Sequence, residues 1–211
     1  DSLLKWTGKK LDEIENVIVS IGPGSFTGVR IAISVVKGLF FGRNVNFYEV
    51  NELDALGFQG YYNLKINLEN EENVKIYSLI DSRKEKVYCA AYEIFNGKAG
   101  NRLKLVKNYE VMKLDNVIEE IIENKQNGEN NKKIYLIGDA VFNYKAKILD
   151  KLGDFVRIFE DKNLAINTMT YVEMFLDESF KNDDVIGLKK TVIFNLKPDY
   201  LEKSQAERDK K

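Results

Sequence analysis

A glycine-rich segment between an apolar strand and a helix constrains the fold of this chain more than any other feature. Residues 16–21 form a nearly continuous apolar run, which is typical of strands covered on both faces. Residues 22–28 read Gly-Pro-Gly-Ser-Phe-Thr-Gly, and we predict a helix from about residue 28 to residue 41. A second strand at 45–50 and a short helix capped by Asn51 and running through residue 58 follow. This order predicts a parallel α/β sheet.

The glycine segment itself has two physical interpretations, which the residues alone leave open. In the first it binds an anion, because the free N–H groups and the dipole at the start of a helix attract negative charge. In the second, Gly22 and Gly24 provide a tight turn with positive φ, and Ser25 or Thr27 caps the helix. The residues concerned are Gly22, Pro23, Gly24, Ser25, Phe26, Thr27, Gly28 and Arg30.

The segment matches neither of two familiar nucleotide-binding loops. A Walker A loop ends in Gly-Lys followed by Ser or Thr, and this segment does not. The dinucleotide fingerprint has the spacing G-x-G-x-x-G, whereas Gly22, Gly24 and Gly28 are spaced one residue longer. No acidic partner follows at the expected distance either.

The helix at 28–41 is apolar around most of its circumference. Its polar stripe is narrow and consists of Arg30, Ser34 and Lys37. The remaining apolar arc is about twice as wide as the roughly 100° apolar face that a helix lying on a sheet needs. A further element should therefore cover it, either the chain's own first helix at residues 2–6 or a partner subunit. The residues predicted to form a partner interface are Val29, Ile33, Val36, Lys37 and Phe40.

The chain of 211 residues has no histidine and one cysteine, which restricts its chemistry. Histidine-based triads, histidine general bases and histidine metal ligands are excluded, and so is a structural zinc site built on cysteines. Cys89 lies in an apolar strand-like setting and is predicted to be a buried, inert thiol. A single cysteine forms no internal disulfide, so we expect a reducing cytoplasm.

The charge balance argues against direct binding of nucleic acid. The net charge is −1, whereas a protein that grips nucleic acid alone needs a basic excess to neutralise phosphates. Hydrophobic residues make up 44% and charged residues 31%, as in an ordinary globular protein. No apolar run approaches the roughly 18 residues of a membrane span, so we expect no membrane partner.

The remainder of the sequence predicts a second α/β unit. An Asn-rich stretch at 63–73 suggests a boundary, which gives units of residues 1–73 and 74–211. Strands at 75–80, 86–95 and 102–106, joined by short turns, indicate an antiparallel meander. We then predict a helix from 114, a second Asn-rich loop at 124–131, a strand at 134–137, a helix to 152, a strand at 155–159, a helix at 168–180 and an exposed tail at 202–211.

Four segments resemble the TsaB (YeaZ-type) family. Residues 21–31, Ile-Gly-Pro-Gly-Ser-Phe-Thr-Gly-Val-Arg-Ile, closely match its hallmark segment. Residues 80–88 resemble its Asp-Ala-Arg…Glu-Val-Tyr hairpin, and residues 136–140 resemble its Val-Gly-Asp-Gly strand end. Residues 198–207 resemble its Pro-x-Tyr-Leu-Arg-x-Ser-x-Ala-Glu tail. The resemblance spans nearly the whole chain.

The resemblance implies a reduced actin/sugar-kinase/heat-shock-protein ATPase (ribonuclease H-like) fold with two α/β subdomains. It implies a non-catalytic scaffold and activator in a complex that installs threonylcarbamoyl on the adenosine next to the anticodon of tRNAs. The implied partners are a TsaD-type transferase subunit, bound through helices near the glycine loop, and a TsaE-type ATPase. A homodimer is implied when the protein is alone, and tRNA is bound only through the complex. No resident cofactor is expected, and ATP and magnesium would bind, if at all, at the interface with partners.

The sequence is compatible with this non-catalytic role. Active members of the fold hold ATP between two glycine-rich turns, but residues 81–84, at the second turn, are bulky and glycine-free. Asp81 and Asp139 are readable as magnesium ligands or as loop caps. Two other hypotheses remain: a kinase-like ATP-binding enzyme of the same fold, and a peptidase, suggested by the glycoprotease-like label of the family.

One part of the family pattern has no counterpart in the sequence. Members of the family begin with a strand hairpin, a third strand and a complete first helix, on the order of 40 residues in all. Without them the sheet would have open edges and the helix an uncovered face. We therefore expect the sequence to be a fragment of a longer chain.

Overall fold

The computed structural model contains two β-sheets and seven α-helices in the described part of the chain. It describes residues 2–67, 73–97, 100–129, 131–160, 164–177, 180 and 186–201. The helices are α1 (Ser2–Thr7), α2 (Phe26–Phe40), α3 (Glu52–Asn67), α4 (Leu114–Gln126), α5 (Asp139–Asn143), α6 (Lys145–Leu152) and α7 (Thr168–Leu176). The strands are β1 (Asn16–Ser20), β2 (Asn46–Val50), β3 (Val74–Asp81), β4 (Lys86–Gly97), β5 (Gly100–Lys113), β6 (Lys133–Ile137), β7 (Val156–Ile158) and β8 (Lys189–Thr191).

The first sheet has the order β1-β2-β8. β1 and β2 are parallel, as predicted, with Asn16 opposite Asn46 and Ser20 opposite Val50. β8 runs antiparallel to β2 and was not predicted, because three residues of Lys-Lys-Thr carry no apolar alternation. β8 therefore adds a segment of the predicted second unit, residues 74–211, to the sheet that residues 1–73 begin.

The second sheet has the order β5-β4-β3-β6-β7. β3, β4 and β5 form the predicted antiparallel meander, and β6 and β7 extend it in parallel on the other side of β3. β5 is much longer than the predicted strand at 102–106, because its pairing with β4 continues through two register shifts to Lys113. The tip of the predicted turn, residues 98–99, lies outside the described residues.

α3 is the central helix of the fold and is longer than predicted. Asn51 caps it as expected, with the Leu53 N–H donating to Asn51 Oδ1 at 2.9 Å. The helix continues past residue 58 into the Asn-rich stretch, because Tyr61 and Leu64 are buried in the core. Tertiary packing overrides the weak helix propensity there. Residues 68–72 of the predicted boundary lie outside the described residues.

The later helices differ from the prediction in their limits. The predicted helix ending at residue 152 is two helices, α5 and α6, which meet at Tyr144. α7 ends at Leu176 rather than at residue 180, and residues 178–179 lie outside the described residues. α4 extends to Gln126 into the second Asn-rich stretch, whose residue 130 is not described. The tail at 202–211 is not described either.

Helices cover both faces of the second sheet, so β3 is buried along almost its whole length. Ile76, Ala90 and Tyr92 pack with α3 on one face. Tyr77, Cys89 and Leu136 pack with α4, α5 and α6 on the other. The predicted burial of Cys89 is confirmed, and burial raises the pKa of its thiol. No helix in the described part of the chain has the length and apolar character that a membrane span requires.

Candidate functional site

A cavity of about 880 Å³ lies between the two sheets. The glycine loop, residues 22–28, and the β3–β4 turn at 81–83 both line it. Residues 164–166 and the end of the described chain, 199–201, line it as well. The two turns singled out in the sequence therefore line the same cleft.

The glycine loop is a tight turn that leads directly into α2. Gly22 has φ of 100°, and its carbonyl oxygen accepts the Glu52 N–H at 2.7 Å. The Gly22–Pro23 peptide bond is cis. Ser25 caps α2, since its Oγ accepts the Gly28 N–H at 3.3 Å. The structure thus assigns the cap to Ser25 rather than Thr27, and Gly22 but not Gly24 takes a positive φ.

An aromatic cluster covers the start of α2. The rings of Phe26 and Tyr200 are stacked, with centroids 4.7 Å apart and planes at 24°. The Arg30 guanidinium lies 4.0 Å from the Phe26 centroid and 5.3 Å from that of Tyr200. Arg30 Nε also donates a hydrogen bond to the Tyr200 hydroxyl. Sequence reasoning missed this cluster, because it joins two motifs 170 residues apart.

A polar network around Glu52 lies at the base of the glycine loop. Glu52 Oε2 accepts hydrogen bonds from Ser20 Oγ at 2.5 Å and from the Tyr171 hydroxyl at 2.8 Å. Burial and the neighbouring Glu52 charge raise the pKa of Tyr171, so its hydroxyl stays protonated and remains a donor. This network connects β1, α3 and α7. The sequence held no signal for it, because Tyr171 reads as one apolar position of a helix.

The β3–β4 turn in the cavity lining is held by two aspartates. Asp139 Oδ1 accepts the Asp81 N–H at 2.9 Å, and Asp81 Oδ1 accepts the Arg83 N–H at 2.7 Å. Burial raises the pKa of Asp139. Arg83, Lys84 and Glu85 all have positive φ, at 67°, 53° and 56°. Both aspartates thus cap backbone groups, which is the loop-cap interpretation of these residues.

The charges around the cavity are mostly negative. Among the described lining residues, Arg83 is the one cation. The carboxylates are Glu52, Asp81, Asp139 and Asp199. A triphosphate would meet repulsion from them at short range. Within the same described part of the chain, no group of three or more Cys, Asp or Glu residues is arranged to hold a metal ion.

The residues predicted for a partner interface are divided between the core and the surface. Ile33 and Phe40, 4% and 7% exposed, pack against β1 and β2 in the chain's own core. Val29, Val36 and Lys37 are half-buried. Ile33 and Phe40 therefore lie on the face of α2 that packs on the first sheet, and their role as partner contacts stays a prediction.

The exposed face of α2 is apolar. Ile31, Val35 and Leu39 are 57%, 52% and 48% exposed and follow one another at a spacing of four residues along the helix. We call these three residues the α2 stripe. α1 buries none of its residues, and Trp6 is 85% exposed. Of the two alternatives for covering α2, the chain's first helix therefore leaves this face uncovered.

Comparison with known proteins agrees with this architecture. The sequence model of the family described as "TsaD: tRNA N6-adenosine threonylcarbamoyltransferase" matches residues 1–185. The chain is 26% identical over 201 residues to a protein named tRNA threonylcarbamoyladenosine biosynthesis protein TsaB from Buchnera aphidicola subsp. Baizongia pistaciae, covering 94% of this chain and 78% of the relative. It is 26% identical over 206 residues to the protein of the same name from Bacillus subtilis, covering 98% and 77%.

A solved structure shares the fold. YeaZ from Pseudomonas aeruginosa superimposes with a TM-score of 0.62 at 20% identity, covering 94% of this chain and 80% of that one. Two α/β units that enclose a cleft between a glycine loop and a second turn define a reduced actin/sugar-kinase/heat-shock-protein ATPase type of protein. Within that class, the chain belongs to the family of TsaD-type and TsaB (YeaZ-type) proteins.

Proposed function

We propose that this chain is a non-catalytic scaffold and activator in the synthesis of threonylcarbamoyladenosine on tRNA. The α2 stripe, beside the glycine loop, is the observation that carries the proposal. An apolar helix face of this kind is covered in a stable assembly. A TsaD-type transferase subunit would cover it in the complex, and a second copy of the chain would cover it when the protein is alone. A TsaE-type ATPase would join the complex, and tRNA would bind through the partners.

The chemistry of the cleft supports a role without catalysis. The sequence has no histidine to act as a base or a metal ligand. The turn at Arg83–Glu85 carries side chains where a phosphate needs close approach to the backbone. Asp81 and Asp139 are already engaged with backbone N–H groups. The relatives at 26% identity are also named as biosynthesis proteins.

The proposal is tested by reconstituting the tRNA modification with purified partners, with and without this chain. We expect modification to depend on its presence. Leu39→Asp should weaken binding of the TsaD-type subunit by at least about tenfold, because a charge would be desolvated in an apolar contact. Leu149→Asp is the matched control, since Leu149 is also a half-exposed helical leucine, 43% against 48%. Equal modification without the chain would contradict the proposal.

The alternative function, a kinase-like enzyme, is tested by measuring ATP binding and hydrolysis. The cavity is large enough for a nucleotide, so ATP binding and phosphate release by the isolated protein should be measured directly. We expect neither, because the lining carboxylates oppose a triphosphate. Saturable ATP binding with turnover by the protein alone would favour the enzyme.

A further inference from the structure

The end of the described chain, residues 198–201, lies across the glycine loop, and we call this segment the strap. The Asp199 N–H donates to the Ile21 carbonyl oxygen at 2.8 Å. The Asp199 carboxylate accepts a hydrogen bond from Asn51 Nδ2 at 3.3 Å, beside the start of α3. Leu201 packs against the hydrophobic core around α3. The strap is therefore attached to both the loop and the central helix.

From this attachment, Tyr200 projects onto the first turn of α2. Its ring stacks on Phe26, and its hydroxyl accepts a hydrogen bond from Arg30, one helical turn further along. Phe26 and Arg30 are four residues apart, so they lie on the same side of α2. Tyr200 thus contacts two consecutive turns of the helix at once.

The first turn of α2 contains no fully buried residue. The buried residues of the helix are Ile33 and Phe40, in its middle and at its end. Thr27 and Gly28 are exposed, and Val29 is half-buried. Besides the packing of Val29 against the core of the first sheet, the stack with Tyr200 and the Ser25 cap therefore constrain this end of the helix. Ile31, the first residue of the α2 stripe, follows Arg30 directly.

We propose that Tyr200 is a positioning residue: through Phe26 and Arg30 it holds the start of α2, and with it the α2 stripe, in the orientation that a partner binds. This inference rests on the proposed function, because it assumes that the stripe is a docking surface. The inference gives the Pro-Asp-Tyr-Leu motif at residues 198–201 a role in partner binding beside the glycine loop.

Hydrogen exchange of the full chain tests the first half of the inference without any partner. In Tyr200→Ala, the hydrogen-bonded amides of residues 28–31 should exchange about tenfold faster, the effect of losing an aromatic stack and a cation–π contact. Tyr200→Phe should keep most of the protection, because the ring remains. Phe194→Ala is the control, since Phe194 contacts Phe41 at the other end of α2. Unchanged exchange in Tyr200→Ala would overturn the inference.

Affinity for the TsaD-type subunit, measured by calorimetry, tests the second half. Tyr200→Ala should weaken binding about tenfold while the melting temperature falls little, and Tyr200→Phe should restore most of the affinity. Faster exchange with unchanged affinity would refute the positioning role. If the wild-type chain does not bind the subunit at all, the proposed function fails and the docking role fails with it. The exchange measurement then still decides whether Tyr200 orders α2.

Discussion

Gly138 lies where β6 turns into α5, and its backbone leaves no room for a side chain. Its φ is 120°, and a Cβ built there would lie 2.0 Å from the Leu79 carbonyl oxygen. This close approach keeps Asp139 within reach of the β3–β4 turn. The sequence motif at 136–140 pointed to a strand end, but the contact with Leu79 depends on strand pairing that no local pattern reveals.

Replacing Gly138 should lower the stability of the protein through both its positive φ and the clash with Leu79, and a second glycine separates these two causes. Gly138→Ala should lower the free energy of unfolding by on the order of 3 kcal/mol or prevent folding, because both φ and the Leu79 clash oppose it. Gly128 has nearly the same φ, 117°, with nothing within 4 Å of a built Cβ. Gly128→Ala should therefore cost only about 1–2 kcal/mol. Urea unfolding measures both, and equal losses would show that the Leu79 contact is unimportant.

The thiol of Cys89 should be almost unreactive in the folded protein. It is fully buried, and burial raises its pKa, so neither access nor ionisation favours alkylation. At pH 8, iodoacetamide should label the native chain at least about 100-fold more slowly than the chain in urea, because labelling requires opening of the core. Labelling of the native protein at the rate of a free thiol would contradict this burial. The burial of Cys89 was predictable from the sequence, because its apolar neighbours in a strand already indicate a core position.

At the scale of elements, α2 shows what a periodicity pattern can and cannot predict. The pattern correctly indicated a helix whose apolar arc is wider than packing on one sheet requires. It did not indicate which side packs on the sheet, because the apolar arc includes Ile33 and Val35 alike. That choice depends on the angle at which the helix leaves the glycine loop. The length of α3 and the existence of β8 were likewise missed, since both depend on long-range packing.

The two faces of α2 should respond differently to the same substitution. Ile33→Asp should lower the free energy of unfolding by on the order of 3 kcal/mol or more, because an unpaired charge would be buried against β1. Val35→Asp should change it by less than about 1 kcal/mol, since Val35 is 52% exposed. Thermal and urea unfolding of both variants provide the comparison. A large loss in Val35→Asp would mean that this face is covered within the chain itself.

At the scale of the whole molecule, α3 joins the two units. Glu52 at its start binds Ser20 of β1, and Asp54 accepts hydrogen bonds from Tyr92 and Tyr109 of the second sheet. The overall fold was predictable through the family resemblance, and the meander through its turns. The cleft network was not, because its members come from distant parts of the chain.

This central position predicts that both units unfold together. Phe58→Ala should lower the free energy of unfolding by about 3–5 kcal/mol while keeping one transition, because Phe58 is completely buried in α3. Phe155→Ala is the control, since Phe155 is 48% exposed and should cost less than about 1 kcal/mol. Far-UV and near-UV circular dichroism in urea should give coincident curves. Two separate transitions would show that the units are independent.

The pairing of β2 with β8 has a consequence for the order in which this protein forms during translation. Within the described residues, the second sheet takes its strands from residues 74–158, so these strands can pair before β8 leaves the ribosome. The first sheet waits for β8, about 140 residues after β2, on the order of 10 s at ordinary elongation rates. During this interval the edge of β2 that β8 later pairs with is an open template for other chains. The first sheet is thus begun early and completed late, and until then this edge needs protection from pairing with other chains.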